Sequence, residues 1–144
     1  MKRITRSAIV EHSAERMFTL VDDVESYPRF LPWCRAATVE ERTAASVQAT
    51  LSVGMRGLRQ TFSTRNELHP PEAMEMHLVK GPFRHFAAAW RFKALSAQAC
   101  AVEFSLEYEM AGPLARILEP LFDHIADTMV DAFTRRAGEL YGKS

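Results

Sequence analysis

The chain has 144 residues, 47% hydrophobic and 25% charged, with eighteen basic side chains balancing eighteen acidic ones. That length fits one domain burying roughly 68–70% of its unfolded surface, and zero net charge argues against a general nucleic-acid binder, which needs clustered cations to displace counterions from phosphates. No apolar run approaches the eighteen or so residues that cross a bilayer, and no signal-length apolar stretch follows the basic Met1-Lys-Arg-Ile-Thr-Arg6, so the expected location is the cytoplasm.

Residues 3–10 are mixed and β-branched and predict a first strand. Ser13 is a plausible N-cap, Glu15 suits a first helical turn, and Met17, Phe18, Leu20 and Val21 supply an apolar face. These signals predict a short helix over about residues 14–22. The segment Val21 to Cys34 follows, with Pro28, Pro32, Tyr27, Phe30, Leu31 and Trp33 crowded together. The prolines push Tyr27 and Leu31 toward extended geometry, and the aromatic bodies need a core to enter.

From residue 34 to 110 the hydrophobic period is two. Val47, Ala49, Leu51, Val53 and Met55 alternate with polar residues, as do Cys100, Val102, Phe104, Leu106, Tyr108 and Met110. This predicts about six antiparallel strands with one covered face. Breaks fall at Thr43-Ala44, Met55-Arg56-Gly57, His69-Pro70-Pro71, Gly81-Pro82 and near Ser96. Gly112-Pro113 then opens a helix over residues 113–141, with Leu118, Leu121, Phe122, Ile125, Met129 and Phe133 on one stripe. Glu119, Asp123, Asp127 and Asp131 run along the opposite, solvated side, and Pro120 is expected to kink or restart the helix. The whole is one α+β domain over residues 1–144.

Three blocks carry a family resemblance: Val21 to Cys34; Lys80-Gly-Pro-Phe-Arg84 with Trp90-x-Phe92; and Val130 to Ala137 with Tyr141-Gly142. Together they resemble the coenzyme-Q-binding proteins of the polyketide cyclase/START-like (SRPBCC) superfamily, whose bacterial members are often called ribosome association toxins. The resemblance implies a helix-grip fold: a curved antiparallel sheet of six to seven strands around the long C-terminal helix, with short helices after the first strand.

It also implies a function, with alternatives. The first is a module that binds ubiquinone or another polyisoprenoid lipid in support of respiratory electron transfer. The second is association with the large ribosomal subunit and a block of subunit joining. The third is a polyketide cyclase/dehydratase. No GxSxG, P-loop, GxGxxG or histidine-metal box is present, so no catalytic residue, metal or resident cofactor is expected. Cys34 and Cys100 fit reduced structural thiols.

Nine Phe, two Trp, three Tyr and seven Met exceed what one small core obviously needs. Most must be packing, yet a sheet gripping a helix leaves room for an apolar ligand. The candidate lining is Phe62, Met76, Trp90, Phe104, Tyr108, Phe122, Ile125 and Met129, with Tyr27, Phe30, Leu31 and Trp33 at the mouth. Arg136 falls within the apolar stripe of the last helix, as a partner for a polar ligand group or as a snorkelling surface cation. Phe83 between Lys80 and Arg84 is either folded onto the sheet or a small foot for peripheral contact with anionic lipid headgroups. A ribosome partner needs a basic surface, for which Arg56, Arg59 and Arg65 in one hairpin and Lys80, Arg84, Arg91 and Lys93 in another are the candidates.

Overall fold

The computed structural model describes residues 1–142. Strand β1 (Lys2–Val10) is followed by helix α1 (Ala14–Asp22), a 3₁₀ segment (Val24–Arg29), and strands β2 (Cys34–Arg42), β3 (Ser46–Met55), β4 (Leu58–His69), β5 (Ala73–Lys80), β6 (Phe83–Ser96) and β7 (Ala99–Met110). Helix α2 (Ala115–Tyr141) closes the chain. The strands form one seven-stranded antiparallel sheet in the order β1-β7-β6-β5-β4-β3-β2, curved around α2. This is the helix-grip arrangement that the change of period at Gly112-Pro113 and the three blocks lead one to expect.

Local chemistry explains the boundaries. Ser13 caps α1, its hydroxyl accepting from the Arg16 amide at 3.1 Å, and Met17, Phe18, Leu20 and Val21 are buried. The β3–β4 turn is a two-residue loop with both Arg56 (φ 53°) and Gly57 (φ 84°) in the left-handed region, the geometry that matches strand twist. Val47, Ala49, Val53, Trp90, Phe92, Val102, Phe104 and Leu106 face inward against Leu118, Leu121, Phe122, Ile125, Met129 and Phe133 of α2. One continuous core results.

Three expectations change. The Tyr27 segment is not extended but a 3₁₀ turn over Val24–Arg29. The Ser26 hydroxyl donates to Asp23 at 2.6 Å, the Tyr27 carbonyl accepts from the Phe30 and Leu31 amides, and the Tyr27 hydroxyl donates to the Val21 carbonyl. These local bonds outweigh the weak bias that a following proline imposes. Pro120 does not restart α2, which runs unbroken across it from Ala115 to Tyr141. Pro120 and Arg116 are both exposed, so the carbonyl orphaned by the missing N–H is left to solvent.

The third change concerns Asp123, which is no idle solvated carboxylate. It accepts the Tyr108 hydroxyl at 2.6 Å and pairs with Lys2 Nζ at 2.7 Å, while Arg6 pairs with Asp127 at 2.7 Å. Burial and the Asp123 carboxylate together push the Tyr108 ionisation upward. These bonds fasten the edge strand β1 to α2. Each exposed pair contributes only about 0.2–1 kcal/mol, so registry matters more here than energy.

Both cysteines are free and buried, and burial pushes the Cys34 thiol up to about 11, a setting for an inert thiol.

Candidate functional site

Between the concave sheet face and α2 lies a cavity of about 50 Å³. A water needs about 10–15 Å³ of such space, so this void holds a few waters, whereas pockets for drug-sized ligands run to roughly 300–1,000 Å³. Strands β3 to β7 supply Ala49, Leu51, Phe62, Thr64, Asn66, Met76, Phe86, Ala88, Trp90, Phe104 and Leu106 to its wall. Helix α2 adds Phe122, Ile125 and Met129, and the segment after α1 adds Val24, Tyr27 and Trp33.

The candidate residues divide. Tyr27, Trp33, Phe62, Met76, Trp90, Phe104, Phe122, Ile125 and Met129 meet at the cavity. Phe30, Leu31, Phe83, Tyr108 and Arg136 do not line it. Leu31 is packed in the core below the segment. Phe30 lies edge-on to Phe133 at 5.1 Å, and the Arg136 guanidinium stacks over it at 5.2 Å. The Arg136 side chain is 22% exposed and reaches Glu139 at 3.5 Å, so it leans along the helix surface with its Nε buried and unpartnered. Phe83 is only 8% exposed and packs on Phe62, Phe86, Tyr108 and Phe122. Gly81 makes this fit, since a Cβ there would sit 2.9 Å from the Phe62 Cβ. The lipid-headgroup foot therefore has no aromatic to insert, and the peripheral membrane contact expected from it finds no support.

Three polar groups at the cavity do what hydrophobic pattern alone cannot reveal. Thr64 and Asn66 occupy inward positions of β4, where the register would normally place apolar side chains, and the Thr64 hydroxyl donates to Asn66 Oδ1 at 2.9 Å. The pairing of β4 with β5 slips between Ser63 and Thr64, and bulges of this kind re-aim side chains beside functional sites. Trp33 is 3% exposed, and its Nε1 is buried without a partner. A buried, unpaired indole N–H on a residue of the lining is a donor open to an acceptor. Tyr27 is the one titratable side chain in the lining among the described residues; burial raises its ionisation and its hydroxyl is already committed to Val21. The lining thus combines apolar walls, the unpartnered Trp33 N–H and one amide–hydroxyl pair.

On the opposite, convex face, Glu67, Glu75 and His77 converge across β4 and β5, with His77 Nε2 at 3.5 and 3.9 Å from the two carboxylates. Linear spacing could not show this group, because strand pairing creates it. All three are half-exposed and no second feature marks the spot as a metal site.

Residues 10–134 match the family described as polyketide cyclase/dehydrase and lipid transport. The ribosome association toxin RatA of Pseudomonas aeruginosa is 46% identical over 140 residues, covering 96% of this chain and 97% of that protein. The mitochondrial coenzyme Q-binding protein COQ10 homolog B of Xenopus laevis is 29% identical over 149 residues, covering 99% of this chain and 61% of that one. Among solved structures, the Zhui aromatase/cyclase of a Streptomyces species superposes with a TM-score of 0.81 at 16% identity, over 94% of this chain and 93% of that one, a likeness of fold.

Proposed function

The chain belongs to the polyketide cyclase/dehydrase and lipid transport family and, within it, to the ribosome association toxins, and from that premise we propose that it acts by docking on the large ribosomal subunit and hindering subunit joining. The observation that carries this reading is the filled interior. A void of about 50 Å³ has no room for a quinone ring, let alone an isoprenoid tail, unless the core moves. The near-full-length likeness to a ribosome association toxin points the same way. Such work would place the protein in the cytoplasm.

The test is sedimentation. The chain is mixed with separated ribosomal subunits and run through a sucrose gradient under joining conditions. It is expected to travel with the large subunit and to shrink the joined-ribosome peak. A chain that stays at the top of the gradient at low salt overturns the proposal.

A second reading, binding of a ubiquinone-like lipid, is favoured by one observation: Trp33, with its unpartnered Nε1, and the Thr64–Asn66 pair share the lining of one apolar cavity. A quinone carbonyl is the acceptor such a donor would take. Thr64→Val alone leaves the Asn66 carbonyl oxygen without its donor and is expected to cost about 1–3 kcal/mol, whereas Thr64→Val with Asn66→Leu is expected to return close to wild-type stability. If lipid binding is the function, that stable double variant loses quinone affinity by about tenfold or more. Unchanged affinity in native mass spectrometry and titration removes the polar pair from any ligand role. The cyclase reading has no comparable support, because an acid/base pair is missing from the lining among the described residues.

A further inference from the structure

Zero net charge conceals a strong sorting of charge along the sheet. In an antiparallel meander, the β3–β4 turn, the β5–β6 turn and the start of β2 all lie at one end. That end carries Arg35 at the start of β2, Arg56 at the tip of the β3–β4 turn, Arg59 opposite Gly54, Lys80 at the end of β5 and Arg84 at the start of β6. Arg35 is placed there directly, since its Nε lies 3.6 Å from where a Gly54 Cβ would stand. All five are exposed, and among the described residues none has an ion pair or hydrogen-bond partner. The contrast is with Lys2, Arg3, Arg6 and Arg42, each of which is neutralised by Asp123, Glu107, Asp127 or Asp22.

Carboxylates gather elsewhere. Glu11, Glu15, Asp22 and Asp23 flank or belong to α1, while Glu40, Glu41, Glu67, Glu72 and Glu75 lie toward the other end of the sheet. At the tip end, Glu109 lies opposite His85, and Glu107 and Asp123 are taken up by Arg3 and Lys2, while Arg42, Arg65, Arg91 and Lys93 lie among the carboxylates of the other end. The result is an excess of cations at the tips and an excess of carboxylates toward the other end. On a polyanion it orients end-on, attracted through the tips and repelled through the base.

We infer that this end, formed by Arg35, Arg56, Arg59, Lys80 and Arg84, is the surface through which the chain contacts the phosphate backbone of folded RNA on the ribosome. The inference rests on the ribosome reading and gives it a location. Four strand spacings of about 4.8 Å separate β2 from β6, so the cations span about 19 Å and meet several successive phosphates. Their irregular heights, set by a turn tip, strand ends and strand interiors, suit a shaped backbone more than a groove. The surface has no exposed aromatic for base stacking among these residues, so binding is set by phosphate position and shape and is sensitive to salt.

The test uses the full chain and three matched proteins. In the first variant, Arg56→Asn, Arg59→Gln and Arg84→Gln remove three charges; asparagine tolerates the left-handed backbone at position 56. A control variant removes the same number from the other half of the convex face: Arg65→Gln, Arg91→Gln and Lys93→Gln. Thermal unfolding verifies that both fold, and affinity for purified large subunits is then measured across a salt series. The first variant is expected to weaken binding by about tenfold to a hundredfold and to flatten the log–log salt slope by about two to three. The control is expected to stay within about twofold of wild type, since its charges lie outside the contact. Equal weakening in both variants, or none in the first while wild type binds, overturns the surface but leaves the ribosome reading intact. Wild type failing to bind subunits overturns both. Phosphatidylglycerol vesicles form the last arm: tip-dependent binding to them in preference to subunits assigns the surface to membrane and overturns the inference.

Discussion

Trp33→Ala is expected to lose about 3–5 kcal/mol of stability, the cost of deleting a fully buried tryptophan and leaving its cavity behind. For a domain of this size that is a fall of roughly 10–15 °C in Tm. The reason is burial: at 3% exposure Trp33 is an interior wall and not a half-exposed gate, and the Trp33 carbonyl also accepts the Gly54 amide at 2.8 Å. Trp33→Phe separates packing from polarity. It gives up some apolar area but removes an N–H whose unpartnered burial costs about 1–3 kcal/mol, so it should lie within about 1–2 kcal/mol of wild type. Urea unfolding of the three proteins checks this. A drop below about 1 kcal/mol for the alanine variant would show that the indole is not held where the structure puts it.

The strand and helix boundaries were legible because the residues that end each element act locally. Gly57, Pro70, Pro71, Gly81, Pro82, Gly112 and Pro113 each stop a pattern by their own backbone chemistry, and Ser13 caps a helix within three residues of itself. The period-two runs then declare which face is inside. What a linear pattern does not carry is competition between short-range bonds, which is why it predicts extended chain where Tyr27 sits in a 3₁₀ turn, and a solvated stripe where Asp123 holds Tyr108 and Lys2.

The site was legible by its apolar half alone. Phe62, Met76, Trp90, Phe104, Phe122, Ile125 and Met129 stand at apolar positions of their repeats and converge on the cavity for that reason. Tyr108 stands at such a position too, yet its hydroxyl is drawn to Asp123 and its ring joins the Phe83 cluster instead. Thr64 and Asn66 were hidden because they are polar residues at inward positions, where a pattern search counts them as breaks. The signal available was that β4 keeps its alternation across them, from Phe62 to Leu68. Charge sorting was hidden for a different reason: seven candidate cations in two hairpins separate into a tip group and a lower group only once the meander fixes which turns share an end.

Phe133→Ala is expected to cost as much as Trp33→Ala, about 3–5 kcal/mol, and to do so through a different connection. Phe133 is 1% exposed, with ring centroids 5.3 Å from Tyr27, 5.1 Å from Phe30 and 5.2 Å from Trp90, each edge-on. It pins helix α2 to the 3₁₀ segment on one side and to β6 on the other. Arg136, one turn further along, caps the far face of Phe30. Removing the Phe133 ring therefore frees Phe30 from its main partner, and a double-mutant cycle with Phe30→Ala should show a coupling of about 0.5–1.5 kcal/mol, the value of an edge-to-face pair beyond its area. Phe133→Leu keeps much of the apolar volume but not the ring edges, so it should recover part of the stability while leaving that coupling small. Additive losses for Phe133→Ala and Phe30→Ala would mean that the segment is held by its own hydrogen bonds to Val21 and Asp23, and that the aromatic seam to α2 contributes packing without positioning it.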